Sequence, residues 1–324
     1  MQRRIILLFI ITIILSGCNL PLTSVHPSPI PGDIIRVLNP MPATMTSTPF
    51  LPITNTPTYT PTPTQTFSPT PEITYTLTSS NTPKPKPTKK PKPSSTPTPE
   101  WSWQDPGSVT VPILLYHHVV EGEPSNLYAI SSDTLREQMD YLHSNGYITI
   151  PISLLVKAIT EGANLPDRPV VITFDDGNLD VYENAFPILQ HYGFTATFYL
   201  VLNYLDHSTF ISTDQAAELT KAGWEIGSHS TSHPYLAGMD AAALYQVANS
   251  KQGLEDAIGV SVDTFSYPFG EHDYYIEGIV KKYYSSAVGL GESASHSTSN
   301  LFYLSRLDVR SNTTMDEFEA GLPW

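Results

Sequence analysis

Val170-Val171-Ile172-Thr173-Phe174-Asp175-Asp176-Gly177 is the stretch on which the fold turns. Five β-favouring residues with almost no polar interruption read as a strand buried on both faces, the mark of a parallel sheet covered by helices. Two carboxylates and a glycine end it abruptly. Working outward, similar short strands recur at Val111–Tyr116, Tyr147–Ile150, Thr195–Val201, Trp224–Gly227, Thr264–Tyr267 and Ser286–Leu290. Helical spacing lies between most of them, at Ser132–Asn145, Leu179–His191, Thr213–Ala222, Ala241–Ile258 and Tyr275–Tyr283. About seven strand–helix units within roughly 220 residues predict an α/β fold, a distorted (β/α)7-type barrel rather than an open doubly wound sheet.

The front of the chain has a different character. Arg3 and Arg4 precede an apolar run from Ile5 to Leu15, which is short for a spanning helix and fits the core of a signal peptide. Leu15-Ser16-Gly17-Cys18 resembles the bacterial lipobox, so residues 1–18 are expected to be a lipoprotein signal ending at a lipidated Cys18. Cys18 is the only cysteine, which excludes intramolecular disulfides and a cysteine-ligated zinc site. Residues 19–104 are rich in Pro, Thr and Ser, show no apolar period, and are expected to form a disordered stalk. Its lysine–proline segment, Lys84 to Lys92, reads as solvated linker. Residues 105–324 form the remaining domain. The implied setting is extracytoplasmic, on the cell surface or in the periplasm, with the membrane as a partner through Cys18.

Charge divides the same way. Eight of the 17 Lys and Arg precede residue 105 against three acids, so the front carries +5 and the remainder −19 of the net −14. A domain that acidic repels phosphate backbones, which argues against a nucleic-acid partner. Nothing in the sequence bears on oligomeric state.

Candidate reactive residues follow three predicted strands. Asp175 and Asp176 follow Phe174, His229 and His233 follow Gly227, and Pro268-Phe269-Gly270 follows Tyr267. In an α/β barrel those strand ends share one face, where active sites are built. Adjacent aspartates cannot both be buried as anions without compensation, and Gly177 permits a turn that sends them apart. One is then free to hold a cation and the other to act as a base. His229-Ser230-Thr231-Ser232-His233-Pro234 lacks the glutamate of the His-Glu-x-x-His helix and is ended by proline. Two imidazoles and one carboxylate nevertheless make a facial set that leaves positions open for water and substrate.

Taken in order, Thr173-Phe174-Asp175-Asp176-Gly177, His229-Ser230-x-x-His233 and Tyr267-Pro268-Phe269-Gly270 resemble the motifs of the polysaccharide deacetylases (NodB-homology domain, carbohydrate esterase family 4). Leu115-Tyr116-His117-His118-Val119 resembles the subgroup that includes poly-N-acetylglucosamine deacetylases. The resemblance spans about residues 109 to 320. It implies a distorted barrel and a divalent metal, zinc first, with cobalt, nickel or iron(II) as alternatives. It also implies hydrolysis of N-acetyl groups on an envelope or extracellular amino-sugar polysaccharide (poly-N-acetylglucosamine, peptidoglycan or chitin-like). Carried over by position, Asp175 is the base, Asp176, His229 and His233 are the metal ligands, and Tyr267, Pro268, Phe269 and Gly270 contact substrate. Two departures stand out. Many members place an arginine where this chain has Ser266; Arg306 either orients the base in its stead or pairs with an acid such as Asp308. The late histidine that protonates the leaving amine has no clean counterpart. His296 falls in a Ser-rich loop and is expected to be solvated, while His117 either faces the site or is packed. Two other functions remain open: a polysaccharide-binding module that has lost turnover, and an O-acetyl xylan esterase.

Overall fold

The computed structural model describes residues 100–324. The expected signal peptide, Cys18 and nearly all of the expected stalk lie outside them. Seven parallel strands carry the domain: β1 (Ile113–Tyr116), β2 (Pro169–Phe174), β3 (Thr197–Leu200), β4 (Glu225–Ser228), β5 (Thr264–Ser266), β6 (Ser286–Val288) and β7 (Leu307–Asp308). Their spatial order is β6-β5-β4-β3-β2-β1-β7. The two ends of this path meet just before β7, where Val288 bridges Leu304 in parallel and Gly289 N–H donates to the Leu304 carbonyl at 2.9 Å. The sheet therefore curls into a distorted seven-stranded barrel whose last seam is a single bridge. Ile148–Thr149 adds a short pairing on the first half of β2.

Alternation along the strands sorts the core into two layers. Leu114, Tyr116, Ile172, Phe174, Phe198 and Phe265 point outward into an apolar layer beneath the helices. Ile113, Val171, Tyr199 and Val288 point inward. Gly227 of β4 keeps the interior open for Tyr199, since a Cβ there would lie 2.3 Å from that ring.

The helices are α1 (Ser132–Ser144), α2 (Ile152–Thr160), α3 (Phe186–Tyr192), α4 (Thr213–Lys221), α5 (Ala242–Ile258), α6 (Tyr274–Tyr283) and α7 (Met315–Ala320). α1 buries Leu135, Met139 and Leu142 at helical spacing and is capped by Ser131 Oγ, which accepts from Thr134 N–H. α4 and α7 start at capping boxes built on Ser212 and Thr314. Among the described residues, no helix is long and apolar enough to cross a membrane.

Three differences from the sequence reading have physical causes. The helix expected over Leu179–His191 is a π-turn at Val181–Ala185 that runs into α3, with Pro187, which has no N–H to donate, at the junction. Helix α2 was not anticipated: Ser153, Lys157 and Thr160 face solvent while its apolar side plugs the bottom of the barrel. Its Ile152, Leu155, Ala158 and Ile159 pack with Val111, Ile113 and Val171. The ordered domain also starts before residue 105, because Trp101–Gln104 pairs antiparallel with Ala163–Pro166.

Candidate active site and metal centre

The candidate groups gather at the C-terminal ends of β2, β4 and β5, with Arg306 reaching in from just before β7. β2 is followed by Asp175, which continues into the barrel, and Asp176, whose φ of 76° turns its side chain away. Left-handed backbone is costly for a residue with a Cβ, and Gly177 at φ 87° completes the turn. The aspartates diverge as the sequence predicts. After β4 the chain reverses through Ser230 (φ 71°) and His233 (φ 58°), both left-handed. This turn is held from two sides. Ser230 Oγ accepts from His233 N–H at 2.9 Å, and Thr231 and Ser232 N–H donate to the Gln246 carbonyl and side chain on α5. Among the described residues, four of the five left-handed non-glycine residues, Asp176, Ser230, His233 and Phe269, lie at this end of the barrel. Clustered strain of this kind marks sites where the fold over-determines a geometry.

Asp176 Oδ1 and the Nε2 atoms of His229 and His233 converge within 4.8 Å of one another. His229 Nε2 is 3.5 Å from Asp176 Oδ1, His233 Nε2 is 3.4 Å from it, and the two Nε2 atoms are 3.1 Å apart. Ligands on a tetrahedral ion with bonds of about 2.0–2.1 Å stand about 3.3 Å apart. Protonation strengthens the case for a cation. His229 Nδ1 lies 2.8 Å from the Ser266 carbonyl, which can only accept, so Nδ1 carries the proton and Nε2 presents a lone pair. That lone pair faces Asp176 Oδ1 and, at 3.8 Å, Asp175 Oδ2. Burial and the neighbouring His229 lower the His233 pKa to about 4, so His233 is neutral at neutral pH. The donor set therefore fits a divalent metal ion.

Asp175 is 2% exposed and ion-paired with Arg306, itself 1% exposed. The pair is bidentate: Arg306 Nη1 and Nη2 each donate to one carboxylate oxygen at 2.7 Å. Burial alone would favour the neutral acid. The Arg306 charge and hydrogen bonds, with His229 nearby, outweigh it and hold the Asp175 carboxyl far below the usual range. Ser266 Oγ donates to Asp175 Oδ2 at 2.9 Å and accepts from Arg306 Nη2 at 2.9 Å. Arg306 also donates to Thr173 Oγ1 and the Gly289 carbonyl, and its guanidinium lies 5.5 Å above the Tyr199 ring. Arg306 thus reaches the base from just before β7, while Ser266 fills the place on β5. The alternative pairing of Arg306 with Asp308 is not formed, since Asp308 Oδ2 accepts from Arg310 Nε at 2.7 Å.

A cavity of about 390 Å³ opens above these groups. His117 lines it, its ring 5.1 Å from Tyr128 and its Nδ1 buried without a partner among the described residues. Burial lowers its pKa, against the pull of Asp175, Asp176 and Asp308. His118 lines the same cavity with Nδ1 2.7 Å from Asp180 Oδ2, and that hydrogen bond raises its pKa against burial. His296 is corrected: it is 1% exposed, and its Nε2 donates to the Val111 carbonyl at 3.0 Å, remote from the cavity walls. Of the four residues expected to contact substrate, Phe269 and Gly270 line the cavity with exposed or partly exposed atoms, and Pro268 is buried. Tyr267 borders the cavity, but its ring packs away from it against Phe265, His272 and Tyr303. The sequence reading passed over Ser266 as a partner, and over Thr173, Tyr199, Asp180 and Tyr128. Thr173, Tyr199 and Ser266 were marked only by their places near strand ends, and Asp180, just before the π-turn, and Tyr128, in a turn, by nothing local.

Comparison with known proteins places this geometry. Residues 162–287 match the family model described as polysaccharide deacetylase. A polysaccharide deacetylase homologue of Bacillus subtilis (strain 168), YxkH, is 27% identical over 212 residues, covering 65% of this chain and 75% of its own length. The poly-β-1,6-N-acetyl-D-glucosamine N-deacetylase of Staphylococcus aureus (strain MSSA476) is 26% identical over 198 residues, covering 56% of this chain and 67% of that protein. Among solved structures, the Streptococcus pyogenes deacetylase PplD in complex with acetate shares the fold, with a TM-score of 0.62 at 22% identity, over 67% of this chain and 99% of that one.

Proposed function

We infer, from a chain that carries a polysaccharide deacetylase domain, a hydrolase that removes N-acetyl groups from an amino-sugar polysaccharide outside the cytoplasm. The observation that carries this reading is the pairing of two sites on one turn. Asp176 Oδ1 meets two imidazole lone pairs, and the preceding residue, Asp175, is fixed as an anion by Arg306. The relatives named for poly-β-1,6-N-acetyl-D-glucosamine favour that polymer, or one close to it, as substrate.

Asp176, His229 and His233 would hold the ion, and zinc suits a nitrogen-rich set of two imidazoles and one carboxylate. When bound, such an ion would supply Lewis-acid chemistry, acidifying a water and polarising an acetyl carbonyl. The chain's own residues do the rest. Asp175 stays ionised across the working pH range and takes the proton of the attacking water. Arg306 and Ser266 keep the carboxylate from rotating, so the base is aimed before substrate arrives. His117 stands in the cavity to protonate the departing amine. Burial lowers its pKa, which makes the protonated ring a readier donor, and the surrounding carboxylates offset only part of that fall. Acetate and a free amine result. The acid-rich domain, at −19, suits a product that becomes cationic.

The setting is read from the first hundred residues: Cys18 would carry the lipid and the Pro/Thr-rich segment would hold the domain away from the membrane. Cys18→Ser should move the protein from membrane to soluble fractions, and unchanged fractionation would remove the anchor from the account. The activity is tested by acetate release from poly-N-acetylglucosamine, peptidoglycan fragments, chito-oligosaccharides and acetylated xylan, with zinc supplied. Release from an N-acetylated polymer is expected. Release from acetylated xylan alone would make it an O-acetyl esterase, and binding without any release would make it a binding module.

A further inference from the structure

Just beyond the cavity, two aromatic rings are stacked in the open. Tyr235 and Phe269 lie with centroids 4.6 Å apart and planes at 18°, and they are 57% and 51% exposed. Phe269 belongs to the cavity wall and meets His233 edge-on at 4.6 Å, so the pair begins one ring away from a candidate metal ligand. Tyr235 lies beyond that wall.

Neither ring is placed there by ordinary packing. Phe269 sits at φ 61°, a conformation that a bulky aromatic residue rarely adopts, and Gly270 follows at φ 70°. This strain holds the ring toward solvent rather than into the core. Tyr235 is fixed from behind. Leu236 is fully buried, and Gly238 N–H donates to Asp273 Oδ2, the N-cap of α6, at 2.7 Å. With one face on Phe269, Tyr235 turns its other face outward. A flat, braced aromatic surface beside a catalytic cleft is the shape that the apolar C–H face of a pyranose ring matches.

Resting on the deacetylase reading above, we propose that Tyr235, braced by Phe269, is a subsite for the sugar neighbouring the one being deacetylated. The protein then acts on internal units of a chain and distinguishes long substrates from short ones.

The full-length chain, zinc-loaded, is assayed for acetate release from N-acetylglucosamine itself and from its β-1,6-linked pentamer. Wild type is set beside Tyr235→Ala, Tyr235→Leu and Tyr235→Phe, with circular dichroism to check folding. Calorimetric binding of the same two sugars, which needs no turnover, is read in parallel. Tyr235→Ala should lower kcat/KM on the pentamer about 3- to 10-fold, the span of one aromatic contact, and much less on the single sugar, which has no neighbour to seat. Tyr235→Phe should retain the preference and Tyr235→Leu should lose it, because the flat face matters and the hydroxyl does not. Should the Ala variant fail to fold, the Leu and Phe variants carry the comparison. Equal losses on both sugars, full retention by Leu, or no loss at all would overturn the subsite. If wild type releases no acetate from either, the deacetylase reading fails. The pentamer-over-monomer binding difference, and its loss in Tyr235→Leu, then still decide the subsite.

Discussion

The two ends of the barrel are built on opposite principles. At the closed end, helix α2 and the strand residues Ile113, Val171 and Val288 fill the interior with aliphatic groups in ordinary conformations. At the open end, a buried ion pair, two imidazoles and four left-handed non-glycine residues occupy the same cross-section. Between them lies Tyr199, whose ring supports the Arg306 guanidinium and whose hydroxyl lies 3.0 Å from Thr264 Oγ1. The contrast teaches that the closed end is held together by apolar burial, while the open end holds polar groups in costly positions that only chemistry explains.

Breaking the open end should have the largest effect. Arg306→Met leaves Asp175 as a buried anion without its guanidinium, which costs about 3–5 kcal/mol of stability and abolishes detectable acetate release. Adding Asp175→Asn should return most of the stability, since the stranded charge is gone, but none of the activity. A chemical-denaturation series alongside the acetate assay separates these outcomes; activity regained with stability would place the ion pair outside the chemistry. The closed end should behave in the opposite way. Leu155→Ala, in a fully buried plug position, should cost about 2–5 kcal/mol and leave kcat of the folded protein unchanged, and a fall in kcat would show that the ends are coupled.

A pH effect of similar size belongs to His296. Burial lowers its pKa to about 4, so it stays neutral in the fold. The unfolded chain takes up a proton below about 6.5, so stability is complete above that pH and declines as pH falls toward about 4. The loss is about 3 kcal/mol, and His296→Gln should flatten that part of the stability–pH curve. Smaller again is Gly227→Ala, whose Cβ would meet the Tyr199 ring at 2.3 Å. It should cost about 1–3 kcal/mol and, by displacing the ring beneath Arg306, lower kcat more than it raises KM. Least of all, Ser266→Ala removes one hydrogen bond to Asp175 and should cost about 1 kcal/mol, with a modest fall in rate.

How legible each end was in the sequence follows from the same contrast. Strands β1 to β6 showed as apolar runs because a parallel strand is buried on both faces. The metal set showed because its members are adjacent to strand ends and, for His229 and His233, four residues apart. Arg306 was harder. β7 is two residues long, and a guanidinium crossing the barrel to Asp175, 131 residues away in sequence, leaves no local pattern, so pairing with Asp308 looked as reasonable. Helix α2 escaped because it is only nine residues long and starts after Pro151 with no side-chain cap, so neither length nor a capping signal announced it. His296 misled because a Ser-rich loop suggests solvent, whereas the loop folds back onto Val109 and Thr110 and buries the ring.

The central claim is that Asp176, His229 and His233 hold one divalent ion while Asp175, held by Arg306, acts as the base. It is tested by measuring bound zinc and acetate release together, in the wild type and in Asp175→Asn, after chelation and stepwise return of the metal. The wild type should regain activity in proportion to zinc, up to one ion per chain. Asp175→Asn should bind the same ion and turn over about 10²- to 10⁴-fold more slowly. Acetate release that survives removal of the metal, or that Asp175→Asn leaves intact, would contradict the account.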